Sequence, residues 1–554
     1  MYKRRILQIP VFCCFLAAAA IWSASSLAQL PDRTKNPNTA NAGIAKSLAQ
    51  QIGAGAGNVT TPNSSRFIIA RDPFRAVRRG RQLFQRKFTQ DQGQGPITGD
   101  GDGKTSIETD IIIGAGLSDS CASCHGRPKG SAGSGGDVVT RPDSRDAPHL
   151  FGLGLKEMLA DEITAELRAI RAQAIQQAAA QGRNVTRALT TSAGKGSINY
   201  GSITARPNGT VDTSQVDGVN ADLRVKPFFL HGDTISMREF LVGAFNAEMG
   251  LEAVDQELRA AASGGTFTTP SGMILDGRLD TIEAPPVMNE SHDSDNDGVV
   301  NEIPTSLVDF MEFYLLHYFK PGLGENSPEA IPAGSGFPVP TSGEAADGLS
   351  QFRAIGCATC HIQNLTINRD RRVADLETRY DPVRGNPINN MFAMATAFFT
   401  TSNDGSGFPT IKRPNFGSFV VRNIFTDFKR HDLGPNFHEI NFNGTIRTEF
   451  LTTPLWGVGS TGPYGHDGRS MTLKDVILRH GGEALQARNN FANAGVGTQR
   501  NIITFLNTLV VFPPDDTASN LPGGLAVPGT SGYPQFGHGS IRLVGLFNDP
   551  NDPE

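Results

Sequence analysis

The sequence predicts a mainly α protein built from two similar modules with long loop insertions. Apolar residues recur at helical spacing in residues 155–181 and 306–320, which predicts two helices. Gly182 ends the first helix and Pro321-Gly322 the second in this interpretation. A short motif-bearing stretch occurs twice, which predicts a duplicated unit, and few segments alternate as strands do. Together these observations favour helices over sheets.

Composition excludes several classes of protein. The chain has 554 residues, of which 38% are hydrophobic and 19% charged, so it has the length for two or three packed domains and too little charge for a disordered chain. A net charge of −5 gives no basic surface, so we expect no nucleic-acid partner. Beyond the N-terminal segment, no apolar run reaches the roughly 18 residues of a membrane helix. We therefore expect no membrane contact once that segment is removed.

The N-terminal segment has the pattern of an export signal. Lys3, Arg4 and Arg5 precede a mostly apolar stretch over residues 6–22, and Ser26-Leu27-Ala28 supplies small residues for cleavage. A membrane anchor of similar length is the alternative. The pattern favours a signal peptide over residues 1–28 and a periplasmic or secreted protein.

The rest of the chain divides by composition and by the repeated stretch. We predict a flexible leader at 29–70, a first domain at 71–325, a Gly/Pro-rich linker at 326–344, a second domain at 345–516 and a surface tail at 517–554.

Four of the six cysteines form two Cys-x-x-Cys-His motifs. The motifs are Cys121-Ala-Ser-Cys124-His125 and Cys357-Ala-Thr-Cys360-His361. This motif attaches c-type haem: the two thiols bond the vinyl groups and the histidine binds the iron. A thioredoxin-like pair would not need the histidine, and a zinc site joining the two pairs would leave both histidines unexplained. The sequence therefore predicts two covalently bound haems with His125 and His361 as iron ligands.

A block near the C terminus resembles a known family. It contains the turn Thr461-Gly-Pro463-Tyr464-Gly-His466-Asp-Gly468, with His480 fourteen residues after His466. This pattern resembles the second haem domain of the bacterial di-haem cytochrome c peroxidase/MauG superfamily, in the di-haem oxidoreductase branch similar to the rubber oxygenase RoxA. The resemblance covers about residues 75–515 and implies two cytochrome-c-like haem domains. It also implies that His480 is the distal ligand of the second haem, with His466 as the alternative.

The segment 227–250 extends the resemblance to the surroundings of the first haem. Glu248 matches the distal acid of the peroxidases, and Phe245 matches a phenylalanine that covers the oxygen site in RoxA. Ordinary core and surface roles on a helix are the alternatives. The family's tryptophan between the haems is replaced by Leu230, and residues 126–148 lack the displaceable histidine of the peroxidases. The resemblance thus implies a first haem with an open coordination position, unless His149 or His231 reaches it.

Two segments suggest bound calcium. Asp293, Asp295 and Asp297 precede Gly298 in a spacing typical of the start of a calcium loop, and Glu302 would close it. The alternative is a solvated acidic turn. Separately, the resemblance implies an ion held by main-chain oxygens of Thr461 and Pro463.

These features predict a catalytic di-haem oxidoreductase. Peroxide or dioxygen would react at the first haem, and a second haem with two histidine ligands would relay or store electrons. The resemblance allows an organic alkene as a further substrate and a small redox protein as electron donor. A non-catalytic electron-transfer cytochrome is the alternative.

Overall fold

The computed structural model describes residues 47–71, 73–95, 118–125, 137–138, 145–317, 342–371, 374–380, 393–403, 409–412, 418–441, 444–459 and 461–509. The helices in these ranges are α1 (Leu48–Ile52), α2 (Ser65–Arg71), α3 (Pro73–Gln85), α4 (Cys121–His125), α5 (Leu153–Gln181), α6 (Met237–Met249), α7 (Gln256–Ala262), α8 (Thr305–His317), α9 (Ser342–Ala354), α10 (Leu473–Arg479), α11 (Leu485–Asn493) and α12 (Val496–Asn507).

The strands form small, separate sheets. Antiparallel pairs or triplets are β1 (Asp137–Val138) with β2 (Arg145–Asp146); β3 (Val185–Thr190), β4 (Asn199–Ala205) and β5 (Val211–Val216); β7 (Thr266–Thr268) with β8 (Ile274–Asp276); β10 (Leu365–Ile367) with β14 (Phe419–Val421); β11 (Ala374–Tyr380), β12 (Ala393–Asn403) and β13 (Pro409–Lys412); β15 (Arg430–Asp432) with β18 (Glu449–Leu451); and β16 (Glu439–Ile440) with β17 (Ile446–Arg447). β6 (Ala253–Val254) and β9 (Ile303–Pro304) pair in parallel.

The predicted fold class, mainly α with two cytochrome-c-like haem domains, is wrong. The described residues are 41% helical and 15% strand, and the strands are scattered over small sheets rather than confined to loops around two haem domains. The sequence contained a signal for one of these sheets: Asn208-Gly209 lies between the Thr- and Val-containing runs of β4 and β5, and Asn-Gly is a strong hairpin turn. Strands in such short hairpins bury only part of one face, so they lack the long apolar alternation by which strands are recognised.

Predictions of individual helices agree with the structure. α5 ends where Gly182 adopts a left-handed conformation with φ of 62°, as the sequence predicted. α8 begins one residue before the predicted start at Ser306. The predicted leader contains α1 and part of α2, in which Ile68 and Ile69 are buried, so the chain is already packed before residue 71. The signal peptide 1–28, linker residues 326–341 and the tail 517–554 lie outside the described residues.

The larger hydrophobic cluster surrounds α8. This helix is buried from Ser306 to His317, and α2, α3, α5 and α6 all pack against it. The smaller cluster joins α9 and α12 through Phe352 and Phe505, with Phe425 from the loop after β14 between them. No helix in the described ranges has the length and apolarity needed to cross a membrane.

The same helix crossing occurs in both clusters. A side chain on Gly80 of α3 would overlap the carbonyl oxygen of Phe310 on α8, and one on Gly348 of α9 would overlap that of Asn501 on α12. One turn further along, the rings of Phe84 and Tyr314 lie 5.8 Å apart, and those of Phe352 and Phe505 lie 5.4 Å apart. Because glycine has no side chain, each helix pair can approach closely. The repeated Gly-x-x-x-Phe of the sequence therefore corresponds to a repeated packing unit.

Candidate functional site

The first Cys-x-x-Cys-His motif forms the short helix α4. Ser118 and Ser123 both donate hydrogen bonds to the carbonyl of Ser120, at 2.6 and 2.7 Å, which fixes the turn that leads into the helix. The preceding carbonyl of Asp119 accepts from the backbone N–H of Phe88 at 2.8 Å, which ties the motif to the end of α3. Burial raises the pKa of the Cys121 thiol to about 12.

The second motif forms a 3₁₀ turn at Cys357–Thr359 that starts at Gly356, whose φ is 103°. The backbone N–H of His361 closes the turn by donating to the carbonyl of Cys357 at 3.1 Å. Burial raises the pKa of the Cys357 thiol to about 12 as well. Both motifs thus present a half-buried first cysteine followed one turn later by a histidine.

Three histidines share one hydrogen-bonding pattern. In each, Nδ1 donates to a backbone carbonyl: His125 to Pro148 at 2.8 Å, His361 to Phe425 at 3.1 Å and His480 to Val476 at 2.7 Å. Since a carbonyl only accepts, the proton lies on Nδ1 and the Nε2 lone pair is available. Burial lowers the pKa of all three imidazoles, that of His361 to about 4, so they are neutral. A neutral imidazole oriented through its other nitrogen is the usual arrangement of a metal-binding histidine.

The donor set fits covalent haem better than zinc. None of Cys121, Cys124, Cys357 and Cys360 is in a disulfide. Among the residues that the structure describes, no group of potential metal ligands contains cysteines from both motifs. A zinc site shared by the two pairs is therefore not formed, whereas each Cys, Cys, His set suits one c-type haem.

His480 and His466 differ in what their rings contact. His480 caps the C terminus of α10, and a side chain on the following Gly482 would overlap the carbonyl of Asp432. A charge on the ring of His480 would lower the pKa of His361, so the two rings are near each other. His466 instead pairs its Nε2 with Glu439 at 3.2 Å and stacks on Phe450, with ring centroids 4.2 Å apart. The nitrogen that a metal would need is thus available on His480 and engaged on His466.

A bonded route runs between the two motif histidines. His149, next to the Pro148 that accepts from His125, hydrogen-bonds through Nε2 to the carbonyl of Trp456 at 2.9 Å. The adjacent Leu455 donates its N–H to Ile424 at 3.0 Å, and Ile424 precedes the Phe425 that accepts from His361. Trp456 is 2% exposed. The sequence pattern did not connect Trp456 with either motif.

Phe245 and Glu248 lie on α6. Phe245 is 2% exposed, and its ring meets that of Phe88 edge-on at 6.3 Å. Phe88 in turn is bonded to Asp119, two residues before the first motif. The ring of Phe88 thus lies between Phe245 and the segment that leads to Cys121. Glu248 is only half-buried.

Two charged residues near the motifs were missed in the sequence. Lys156, on α5, lies 5.7 Å from the ring of Phe228, and burial lowers its pKa to about 8. His431 bonds Asp427 at 2.9 Å and Glu483 at 2.7 Å. Burial lowers the pKa of His431, but hydrogen bonds to Asp427 and Cys360 prevail and raise it to about 11. Neither residue has a sequence motif that would have revealed its role.

The predicted calcium residues are only partly brought together. Oxygens of Asp293, Asp295 and Asp297 lie within 4.8 Å of one another, and Glu302 joins Asp295 in a second group. That second group also contains Glu252, which the sequence did not indicate. The hydroxyl of Thr461 donates to the carbonyl of Gly457 at 3.0 Å, and the ion site at the main-chain oxygens of Thr461 and Pro463 stays a prediction.

Comparison with known proteins defines the class. Residues 335–509 match a family model described as "Di-haem oxidoreductase, putative peroxidase". The match contains the second motif together with His466 and His480. Searches of curated proteins and of solved structures return no match. The family match supports a di-haem oxidoreductase, and hence an enzyme with haem cofactors, of the di-haem peroxidase-like kind that the sequence block resembles.

Proposed function

We propose that this protein is an exported di-haem c-type oxidoreductase in which the first haem centre reacts with peroxide or dioxygen and the second relays electrons. The observation that carries the proposal is an asymmetry between the two motifs. His361 has a second histidine near it, His480, with Nε2 available. Both ring nitrogens of His149, the histidine near His125, are engaged, with Trp456 and with the N–H of Phe151.

The residues of the first centre would be Cys121 and Cys124 as attachment points and His125 as iron ligand. A c-type haem bound there supplies a redox-active iron with one coordination position available to a small oxidant. Phe245 would keep that space apolar and exclude water, because its ring is buried and offers no hydrogen-bond donor. Glu248, three residues later on the same helix face, would move a proton between the oxygens of the bound oxidant.

The residues of the second centre would be Cys357, Cys360, His361 and His480. His361 and His480 would both bind the iron of a haem held there, so this centre would exchange electrons without binding substrate, at a lower potential than a His/Met centre. The route from His361 through Phe425, Leu455, Trp456 and His149 would take the place of the family's inter-haem tryptophan, at whose position this chain has Leu230. Electrons for peroxide reduction would come from a small redox protein. An alkene substrate would instead be oxidised by dioxygen at the first centre, as the RoxA-like likeness suggests.

The ligand assignment is tested by exchanging each candidate histidine. In the full chain produced with haem-attachment machinery, we expect two haems per chain that remain bound on a denaturing gel. His480→Gly should convert one low-spin haem to high-spin with both haems retained. His466→Gly is the matched control and should leave the low-spin signal unchanged. A signal lost in His466→Gly but not in His480→Gly would contradict the assignment, and fewer than two haems per chain would contradict the proposal itself.

The catalytic role is tested on the parent protein. A ferric high-spin band, and a rapid spectral response to hydrogen peroxide or to dioxygen after reduction, are expected from an open first centre. Comparing the two oxidants separates peroxidase from oxygenase chemistry. Two low-spin haems that respond to neither oxidant would instead identify an electron-transfer cytochrome.

A further inference from the structure

A cluster of carboxylates lies between the end of α6 and the start of α8. We call it the acidic cluster, and it comprises Glu252, Asp293, Asp295, Asp297 and Glu302. Oxygens of Glu252, Asp295 and Glu302 lie within 4.8 Å of one another, and Asp295 is shared with the group formed by Asp293 and Asp297. Like charges at this separation repel one another unless a cation lies between them.

The inner part of the acidic cluster contains buried carboxylate oxygens that have no hydrogen-bond partner. Glu252 and Glu302 are each 3% exposed. Oε1 of Glu302 and Oδ2 of Asp295 are buried atoms without a hydrogen-bond partner in the described structure. No lysine or arginine in the described ranges forms an ion pair with any of the five carboxylates. A charged buried carboxylate oxygen with no donor is strongly disfavoured, so a bound cation would stabilise this geometry.

The backbone brings these carboxylates together from two distant segments. Ala253 pairs with Ile303 in the parallel β6–β9 ladder, which places Glu252 beside Glu302. The N–H of Glu252 donates to Oε2 of Glu302 at 2.7 Å, and the N–H of Ser294 donates to Oε2 of Glu252 at 3.0 Å. The loop between them curls so that the N–H of Gly298 donates to Oδ2 of Asp293 at 3.0 Å. The arrangement is therefore held by the main chain rather than by a chance meeting of exposed acids.

We propose that the acidic cluster binds one Ca²⁺ ion, with Glu252, Asp295 and Glu302 as inner ligands and Asp293 and Asp297 on the loop side. Calcium accepts six to eight oxygens in irregular geometry, which suits several carboxylates on a curled loop. Magnesium requires a compact octahedron, retains several waters and uses one or two carboxylates, so it fits this cluster poorly. The inference is independent of the haem proposal.

The bound ion would link α6 and α8, two helices of the larger hydrophobic cluster. Glu252 follows α6 by three residues, and Glu302 precedes α8 by three residues. An ion held by both would fix the end of α6, and with it the position of Phe245 and Glu248, against the buried helix α8. Calcium would then stabilise the fold and order the helix that carries the distal candidates.

The experiment uses the full-length haem-loaded protein, stripped with a chelator and titrated with CaCl₂ or MgCl₂. Calorimetric titration measures binding, and the thermal midpoint is followed by circular dichroism. We expect one calcium per chain from this site and, at 100-fold excess over the dissociation constant, a rise of roughly 5–10 °C in the midpoint. Magnesium at the same concentration should give a much smaller rise.

Three variants decide where the ion binds. Glu302→Gln and Asp295→Asn should each weaken calcium binding by at least about 10-fold, because each removes a charged ligand. Glu290→Gln, an exposed acid just before the loop, is the matched control and should bind as the parent does. If Glu302→Gln fails to fold, Asp295→Asn and elemental analysis of calcium in the parent still give an answer. Absence of calcium in the parent, equal response to magnesium, or unchanged affinity in both ligand variants would each overturn the proposal.

Discussion

Replacing Phe245 with alanine tests whether this residue lines the pocket of the first haem or only packs in the hydrophobic core. Phe245→Ala removes a ring that is 2% exposed and packs edge-on against Phe88. Loss of a buried phenylalanine costs about 3–5 kcal/mol, and an aromatic pair of this geometry adds about 0.5–1.5 kcal/mol. At about 2–4 °C per kcal/mol for a unit of this size, the thermal midpoint should fall by roughly 10 °C or more. Stability alone therefore cannot reveal the role of the ring.

The distinguishing readout is the reaction at the first haem, with a core variant as control. Phe310→Ala removes a ring of the same size from the same hydrophobic cluster, on α8. Both variants should lose comparable stability. Phe245→Ala should also change the rate of reaction with peroxide or dioxygen severalfold, because water would enter the space that the ring excludes, while Phe310→Ala should keep the parental rate.

Thermal denaturation and stopped-flow spectroscopy on the same samples, with haem content confirmed, provide both measurements. Parental kinetics in Phe245→Ala together with the stability loss would assign this ring to the core. The proposed apolar pocket would then lose its main residue. A rate change of the same size in Phe310→Ala would show a general loosening of the fold instead.

Two further predictions concern the scaffold. Gly348→Ala should destabilise the protein by about 1–3 kcal/mol in chemical denaturation, because the new side chain would overlap the carbonyl of Asn501 and force α9 and α12 apart. Gly343→Ala, on the same helix, is the control: its side chain meets open space, so the variant should be neutral or stabilised by up to about 1 kcal/mol. Arg238 forms ion pairs with Asp255, Asp309 and Glu312 at 2.6, 2.8 and 3.0 Å. Arg238→Met should therefore lower the free energy of unfolding by about 3–5 kcal/mol in the same assay, since three buried carboxylates lose the cation that they share. A loss below about 1 kcal/mol would show that these acids are protonated in the fold.

Features that depend on neighbouring residues could be predicted from the sequence, whereas contacts between distant segments could not. A glycine stop was enough to predict the end of α5, because it depends on residues within one or two turns. The haem attachment points at the two motifs stay a prediction. Glu252 was missed because fifty residues separate it from Glu302, and only the parallel β6–β9 pair brings them together. His431 was missed for the same reason: its partner Glu483 is distant in sequence, and nothing in the segment around either residue marks the pair.

The fold class failed for a different physical reason. Helical periodicity is visible over many residues, whereas all the strands except β12 have only two to seven residues, give too short a signal and were interpreted as loop insertions. What the sequence did contain was the duplication, since Gly80 and Gly348 each precede a phenylalanine by four residues. That spacing corresponds to a close helix crossing with an inclined pair of aromatic rings in both hydrophobic clusters.

Because the crossing is the same in both clusters, the difference in proposed roles must lie in the other elements. In the second cluster, α10 ends at His480, where Gly482 packs so closely on Asp432 that the histidine is held at the helix end with Nε2 free. In the first, α6 presents Phe245 and Glu248 and continues to Gly250, just before the acidic cluster. In the proposed function, a helix that ends in a ligand would close its centre, and a helix that offers an apolar ring and an acid would leave it open. On this argument, placing a histidine at position 245 should convert the first centre into a second closed one and abolish its reaction with peroxide.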